Sequence, residues 1–250
     1  RGMYQFFVDP VQINIADIRV MIRGEDVNHI RNVLRMRVGE EIAVRSGQDC
    51  MDYRCAVLSI DGDEVLCELR FIKEDQVELP AQIYLFQGLP KADKMEFIVQ
   101  KAVELGVHQV IPVAASRCVV KLDDKKAAAK RIRWQGIAEA AAKQSKRAIV
   151  PEVTGVLSFA RAVEKASQMD VALIPYELAE DMACTRKLLE GIRPGQSVAV
   201  FIGPEGGFAE TEIGLAQESG IRPITLGKRI LRTETAGLAV LAWMTHLLEA

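Results

Sequence analysis

The chain has 250 residues, 49% hydrophobic and 26% charged, enough for one large domain or two modest ones and unlike disordered, collagen or coiled-coil chains. Its 32 Lys and Arg against 34 Asp and Glu leave a net charge of −2, so any nucleic-acid surface has to be local. The five cysteines form no CxxC pair, which argues against a disulfide framework or a zinc site, and no apolar stretch reaches the roughly 20 residues of a membrane span.

Arg1-Gly2-Met3 has no apolar core of the secretion-signal kind, and a reducing cytoplasm is the expected compartment. From there to about Phe71 the chain shows short alternating runs, Tyr4 to Val8, Ile18 to Ile22, Glu41 to Arg45, Tyr53 to Ile60 and Glu64 to Arg70. These predict strands, and only Glu25 to Met36 has a helical period. Turn signals such as Asp9-Pro10, Ser46-Gly47 and Asp61-Gly62 separate them, so a small β-barrel-like domain is expected over residues 3–72. Lys73 to Pro80 is polar, ends in proline and reads as a linker.

Over residues 78–250 the grammar changes to strands alternating with helices. Strands are expected at Ile83 to Leu89, Gln109 to Val113, Val171 to Pro175, Ser197 to Ile202 and Pro223 to Leu226. Helices are expected at Asp93 to Leu105, Lys125 to Ser145, Leu157 to Gln168, Ala183 to Gly191, Ala209 to Gly220 and Glu234 to Glu249. This is an α/β domain with a mostly parallel sheet.

The most specific local pattern is Phe201-Ile202-Gly203-Pro204-Glu205-Gly206-Gly207-Phe208, a buried strand running into a glycine-rich turn and then a helix. Ligands gather at such strand ends, and glycines let backbone approach a flat ligand. A tight strand-to-helix turn explains the spacing equally well; Glu205 inside it tilts the balance towards function. Neither GxGxxG nor GxxxxGK[ST] is present, so a dinucleotide or phosphate loop is not indicated. A second candidate is Leu226-Gly227-Lys228-Arg229-Ile230-Leu231-Arg232-Thr233, in which Thr233 is the expected cap of the last helix and Arg232 sits at its positive end.

Residues 121–150 carry nine basic against three acidic residues, a local balance of +6. Lys126, Lys130 and Arg133 recur at helical spacing, a geometry for phosphate contacts, although a solvated face is the commoner outcome. With His29, Arg31 and Arg35 in the first domain they suggest an RNA surface of two parts. His29, His108 and His246 lack metal-ligand spacing, and no GxSxG elbow appears, so neither a metal site nor covalent hydrolysis is expected.

The chain resembles the RsmE family of ribosomal RNA methyltransferases, within the SPOUT superfamily. The resemblance is carried by His29 to Met36, Gly88-Leu89-Pro90-Lys91-Ala92-Asp93-Lys94-Met95-Glu96, Gln100 to Gly106, Arg117 to Val120, Gln144 to Arg147, the Gly203 to Gly207 turn and Ile230 to Ala236. Ala92 stands where the family commonly has glycine, Lys146 where it has a small residue, and Tyr4-Gln5-Phe6-Phe7 lacks a customary arginine.

The resemblance implies a PUA-like barrel followed by an α/β SPOUT domain with a C-terminal trefoil knot, assembled as a homodimer with the active site near the partner. It implies S-adenosylmethionine bound by the loops Leu173 to Glu177, Ile202 to Gly206 and Leu226 to Arg232, hence by Leu173, Pro175, Ile202, Gly203, Pro204, Glu205, Gly206, Leu226, Gly227, Ile230, Leu231 and Arg232. The implied reaction is methylation of N3 of one uridine in 16S rRNA of the small subunit, with no metal and no membrane. Arg232 is the first choice to stabilise charge on the base, Arg147 to orient it, and Glu205 or Glu234 to take a proton or hold the cofactor. RNA contacts are expected from His29, Arg31, Arg35, Lys91, Arg117, Lys126, Lys130 and Arg133. A SPOUT ribose 2′-O-methyltransferase and a non-catalytic RNA-binding module are the competing readings. The first usually carries an asparagine and arginine signature absent here, and the second would tolerate decay of cofactor loops that are intact.

Overall fold

The computed structural model describes residues 3–176 and 181–249. It separates into two compact units, one running to Glu78 and including Ala142–Val150, the other comprising Leu79–Ala141 and the chain from Pro151 onward.

In the first unit, β1 (Gln5–Phe7), β2 (Ile13–Asn14), β3 (Arg19–Arg23), β4 (Glu41–Arg45), β5 (Met51–Asp61) and β6 (Glu64–Glu74) form one sheet in the order β1-β4-β5-β6-β3-β2. β1 runs parallel to β4, and the remaining pairs are antiparallel. Register shifts at Arg54/Cys55 and Val57/Ser59 bend β5, as bulges do, so the sheet curls around a core that includes Val20, Ile22, Ile42, Val44, Val57 and Val65. The helix expected over 25–36 is shorter. α1 (Glu25–Asn28) passes into a π turn, His29–Val33, and the chain then leaves helical geometry at Arg35, whose φ is +52°. Val27, Ile30 and Met36 are the buried face behind the periodicity.

A sequential division at 73–80 places residues 142–150 in the second domain, whereas they group with the first unit. There Arg147, 4% exposed, ion-pairs with Glu78, whose carboxylate also accepts from the backbone N–H groups of Ala148 (3.0 Å) and Ile149 (3.1 Å), and Val150 N–H donates to Gly47. β6 also runs on to Glu74 into the expected linker.

The second unit contains β7 (Gln82–Gly88), α2 (Lys94–Glu104), β8 (Gln109–Ala114), α3 (Asp124–Gln144, whose last residues belong to the first unit), β9 (Glu152–Val153), β10 (Leu157–Ser158), α4 (Phe159–Ala166), β11 (Val171–Pro175), α5 (Met182–Glu190), β12 (Ser197–Ile202), α6 (Glu210–Glu218), β13 (Arg222–Ile224) and α7 (Thr233–Leu248). Its sheet has the order β10-β8-β7-β12-β11-β13, with β9 beside β8, and every pairing is parallel. Side chains on both faces are therefore buried, which is why these strands read as unbroken apolar runs: Ile83, Leu85, Phe86, Val198, Val200 and Phe201 are fully buried. Phe86 stacks on Phe201 with ring centroids 4.6 Å apart. β9 and β10 are too short to leave a periodic signal, and the helix expected from Leu157 begins only after Ser158, whose hydroxyl caps it.

α7 packs against β7, β12 and α2, and Gly237 lets it approach: a Cβ there would lie 3.5 Å from both Leu85 and Ile202. Gly88 is under tighter constraint, since a Cβ would fall 2.6 Å from Pro204 Cδ and 2.7 Å from Pro204 N. Gly88→Ala is expected to lower the melting temperature by roughly 2–10 °C in calorimetry, the range for about 1–3 kcal/mol of overpacking in a chain of this size. An unchanged transition would contradict the β7–Pro204 contact.

Candidate active site

Because β7, β12, β11 and β13 are parallel neighbours, the segments following them leave from one edge of the sheet, where ligands collect. Pro175-Tyr176, the turn after β12 and residues 225–232 wall a cleft of about 690 Å³, joined by Lys94, Arg117, Thr233 and Ala236.

The turn after β12 is held in one shape from several sides. Gly207 N–H donates to Pro204 O (2.8 Å), and Gly207 has φ +65°, a conformation that favours glycine. A Cβ on Gly203 would lie 3.0 Å from Gly207 Cα, so the glycine is required first by the turn's own compactness. Arg117 Nη1 donates to Gly206 O (3.1 Å), and Thr233 Oγ1 donates to Gly203 O (2.7 Å). Thr233 is thus not the expected cap: Arg232 occupies the cap position without a side-chain bond, and Thr233, inside the first turn, accepts from Gln87 Nε2 (2.8 Å). Gln87 is fully buried at the end of β7. The loop after β13 is fixed by Thr185 of α5, which donates to Thr225 O and accepts from Thr225 N, both at 3.1 Å.

Lys94 Nζ sits 3.1 Å from Glu205 and 3.2 Å from Glu234. Partial burial opposes ionisation of Glu205, but backbone N–H groups, including that of Lys91 at 3.1 Å, and the Lys94 ammonium outweigh it and hold the carboxyl below its usual range. Glu234 is lowered first by backbone N–H at the start of α7, against some burial, and then by Lys94; its two carboxylate partners raise Lys94. The trio carries three formal charges and a net of −1.

Pro175, Ile202, Gly203, Pro204, Glu205, Gly206, Leu226, Gly227, Ile230, Leu231 and Arg232 all wall the cleft. Leu173 does not: it is fully buried within β11, between buried Ala172 and Ile174 in a strand covered on both faces. Glu177, at the end of the first expected loop, lies outside the described residues. The two candidate arginines separate. Arg232 makes no side-chain hydrogen bond or ion pair among the described residues and faces the cleft, whereas Arg147 is buried against Glu78 and does not line it. Among the expected RNA contacts, Arg117 lines the cleft, and Lys91 is exposed beside it with its backbone on Glu205. His29 and Arg35 are exposed in the first unit, and Arg31 donates to Gly62 O. Lys126 pairs with Asp123 and Arg133 with Glu96, while Lys130 is half-buried on the same helix.

Lys94, Tyr176, Thr225 and Gln87 were not singled out from the sequence. Lys94 stands within the motif that carried the family resemblance, but nothing local distinguishes it from other lysines at the start of a helix.

Residues 77–245 match the family model of an RNA methyltransferase domain, and residues 22–79 that of an RNA methyltransferase PUA domain. Ribosomal RNA small subunit methyltransferase E of Bacillus subtilis is 39% identical over 99% of this chain and 99% of its own length; that of Synechocystis is 32% identical over 99% and 78%. The crystal structure of ribosomal RNA small subunit methyltransferase E from Neisseria gonorrhoeae bound to S-adenosyl methionine superposes with a TM-score of 0.83 at 33% identity, covering 98% of each chain. On its sequence and on its fold, this chain belongs to the ribosomal RNA small subunit methyltransferase E family.

Proposed function

We propose that this chain transfers a methyl group from S-adenosylmethionine to N3 of a uridine in 16S rRNA of the small ribosomal subunit. The observation that carries the reading is the glycine-lined cleft at the ends of parallel strands, with an unpaired arginine at its mouth. The structural relative bound to S-adenosyl methionine supports the choice of cofactor. The residues present fit such a ligand. Gly207 and Gly227, at φ +65° and +107°, leave open space where a Cβ would stand, and Pro204, Leu226 and Leu231 supply apolar wall for a flat ring.

When bound, the cofactor supplies a methyl carbon already activated by its positive sulfur, so that attack by the N3 lone pair returns the C–S bonding electrons to sulfur. The chain's own tasks are alignment, exclusion of water and stabilisation of the base as its N3 proton leaves to solvent. Arg232 is assigned the stabilising role, its guanidinium placed against a uracil carbonyl oxygen as negative charge develops. Glu205 and Glu234 are assigned to holding the turn and the start of α7 through Lys94, because carboxylates kept below their ordinary range are weak bases. Arg147, neutralised by Glu78, is assigned to the architecture of the first unit. That unit is assigned to RNA grip, with Arg35 on its exposed face; homodimerisation through the second unit and a cytoplasmic location belong to the same proposal. Among the described residues no helix is long and apolar enough to cross a membrane.

Incubation with labelled cofactor and unmodified small subunits should yield 3-methyluridine on mapping by mass spectrometry; methylated ribose instead would select the 2′-O reading. In that assay Arg232→Ala should lower kcat by about 10²–10³, the usual loss for one preorganised donor, with cofactor Kd within a few-fold. A large change in Kd alone would reassign Arg232 to cofactor binding.

The ion trio sets a pH window. Carboxyls lowered from 4.5 contribute stability that is complete above that value and lost as pH falls through their folded-state values. The ammonium, raised from 10.5, contributes below that value and is lost as pH rises through its folded-state value. In Lys94→Met the acid edge of the melting-temperature profile should therefore move up towards the ordinary carboxylate range; an unmoved edge argues against the trio.

Arg35→Glu should weaken binding to 16S rRNA in filter assays while calorimetric cofactor affinity stays the same. Equal loss of both would argue against a separate RNA-gripping unit.

A further inference from the structure

The cations of the second unit differ in whether their charge is available. On α3 most of the basic side chains with acidic neighbours are engaged: Lys126 with Asp123 (3.3 Å), Arg131 with Glu152 (3.3 Å) and Arg133 with Glu96 (2.7 Å). In the loop after β13, Lys228, Arg229 and Arg232 are all exposed, and none makes an ion pair or side-chain hydrogen bond among the described residues. Between them Ile230 is 91% exposed, more than any other large hydrophobic side chain described, although it belongs to the wall of the cleft. The loop is not loose at its root, since Thr185 pins Thr225 and Gly227 N–H donates to Thr225 Oγ1 (3.2 Å). An anchored loop thus presents three exposed cations around one open apolar side chain, beside the cleft assigned to the methyl donor; Arg232 also acts on the Glu234 carboxylate, whereas Lys228 and Arg229 form no ion pair among the described residues.

The geometry points to the loop Lys228–Arg232 as the contact surface for the acceptor RNA, with Lys228 and Arg229 on the phosphates flanking the target nucleotide and Ile230 inserted into the stack that the extruded base vacates. This rests on the methyltransferase reading and deepens it. A base whose N3 edge is to be modified has to leave its stack, and apolar side chains used as wedges offset part of that unstacking cost. Phosphates are matched by unpaired cations, and the affinity they supply falls with salt in proportion to the contacts made. The polyanion is favoured over a second copy of this chain because an interface between copies would bring these three cations against an identical set if the loop lay on the two-fold axis.

The test uses the full chain and unmethylated 16S rRNA. The double variant Lys228→Gln/Arg229→Gln should reduce the slope of log affinity against log salt by about 1–2, as expected for two lost phosphate contacts. Ile230→Ala should leave that slope unchanged and, at saturating cofactor, lower kcat/KM for RNA about tenfold or more, and Ile230→Leu should restore most of the loss. An unchanged salt slope in the double variant, or RNA turnover indifferent to Ile230→Ala, overturns the assignment. So does a shift in sedimentation that accompanies the loss in Ile230→Ala, which would give the side chain to a contact between copies. Wild-type protein that transfers no methyl group to RNA sinks the methyltransferase reading instead, so the two failures are distinguishable.

Discussion

The hydroxyl of Thr233 lies between the side-chain amide of Gln87 and the carbonyl of Gly203, accepting from one at 2.8 Å and donating to the other at 2.7 Å. Three segments far apart in sequence meet there: the end of β7, the glycine turn after β12 and the first turn of α7. Gln87 and Thr233 are buried, so an unmade hydrogen bond there would leave a polar group unsatisfied. The cleft needs this contact because its two main walls, the turn and the loop running into α7, have no strand pairing of their own.

Around that point the remaining tethers divide the work. Arg117 fixes the far side of the turn at Gly206, Glu205 fixes its crest through Lys91 and Lys94, and Gly88 lets Pro204 sit against β7 without a side chain between them. Lys94 also reaches Glu234, so one ammonium links the turn to the helix that follows the second wall. The outcome is a preorganised pocket whose charged groups mostly satisfy one another, leaving the cations of the Lys228–Arg232 loop as its outward-facing charge. Preorganisation matters for methyl transfer because the donor carbon is activated by its own sulfur; the protein has to supply geometry and dryness rather than a strong base.

Much of the architecture was legible because burial leaves a period. The parallel strands β7, β11 and β12 were readable from their apolar runs, since both faces are covered, and α2 from the spacing of Met95, Ile98, Val99 and Ala102. What periodicity missed is short or irregular. β2, β9 and β10 have two residues each, and the π turn at His29–Val33 keeps apolar residues inward while breaking helical spacing. Of the two departures from family pattern within the motifs, Ala92 and Lys146 both take left-handed φ, at +52° and +60°. A residue with a Cβ takes that conformation at a cost of about 1–2 kcal/mol, so both positions are strained in this chain.

The sequence by itself determined most of the longer strands and helices, that the glycine turn and the arginine loop are the chemically distinctive ones, and, through its motifs, which family to expect. Only the tertiary structure decided which charges are available. Arg147 and Arg232 look alike as letters, yet one is buried against Glu78 and the other faces an open cleft; Lys126 and Arg133 look like a phosphate stripe until Asp123 and Glu96 meet them. Pairing of charges depends on distances between residues many positions apart. A hydroxyl that seems to cap a helix can likewise be drawn across the sheet by a buried amide, and neither effect leaves a local pattern to read.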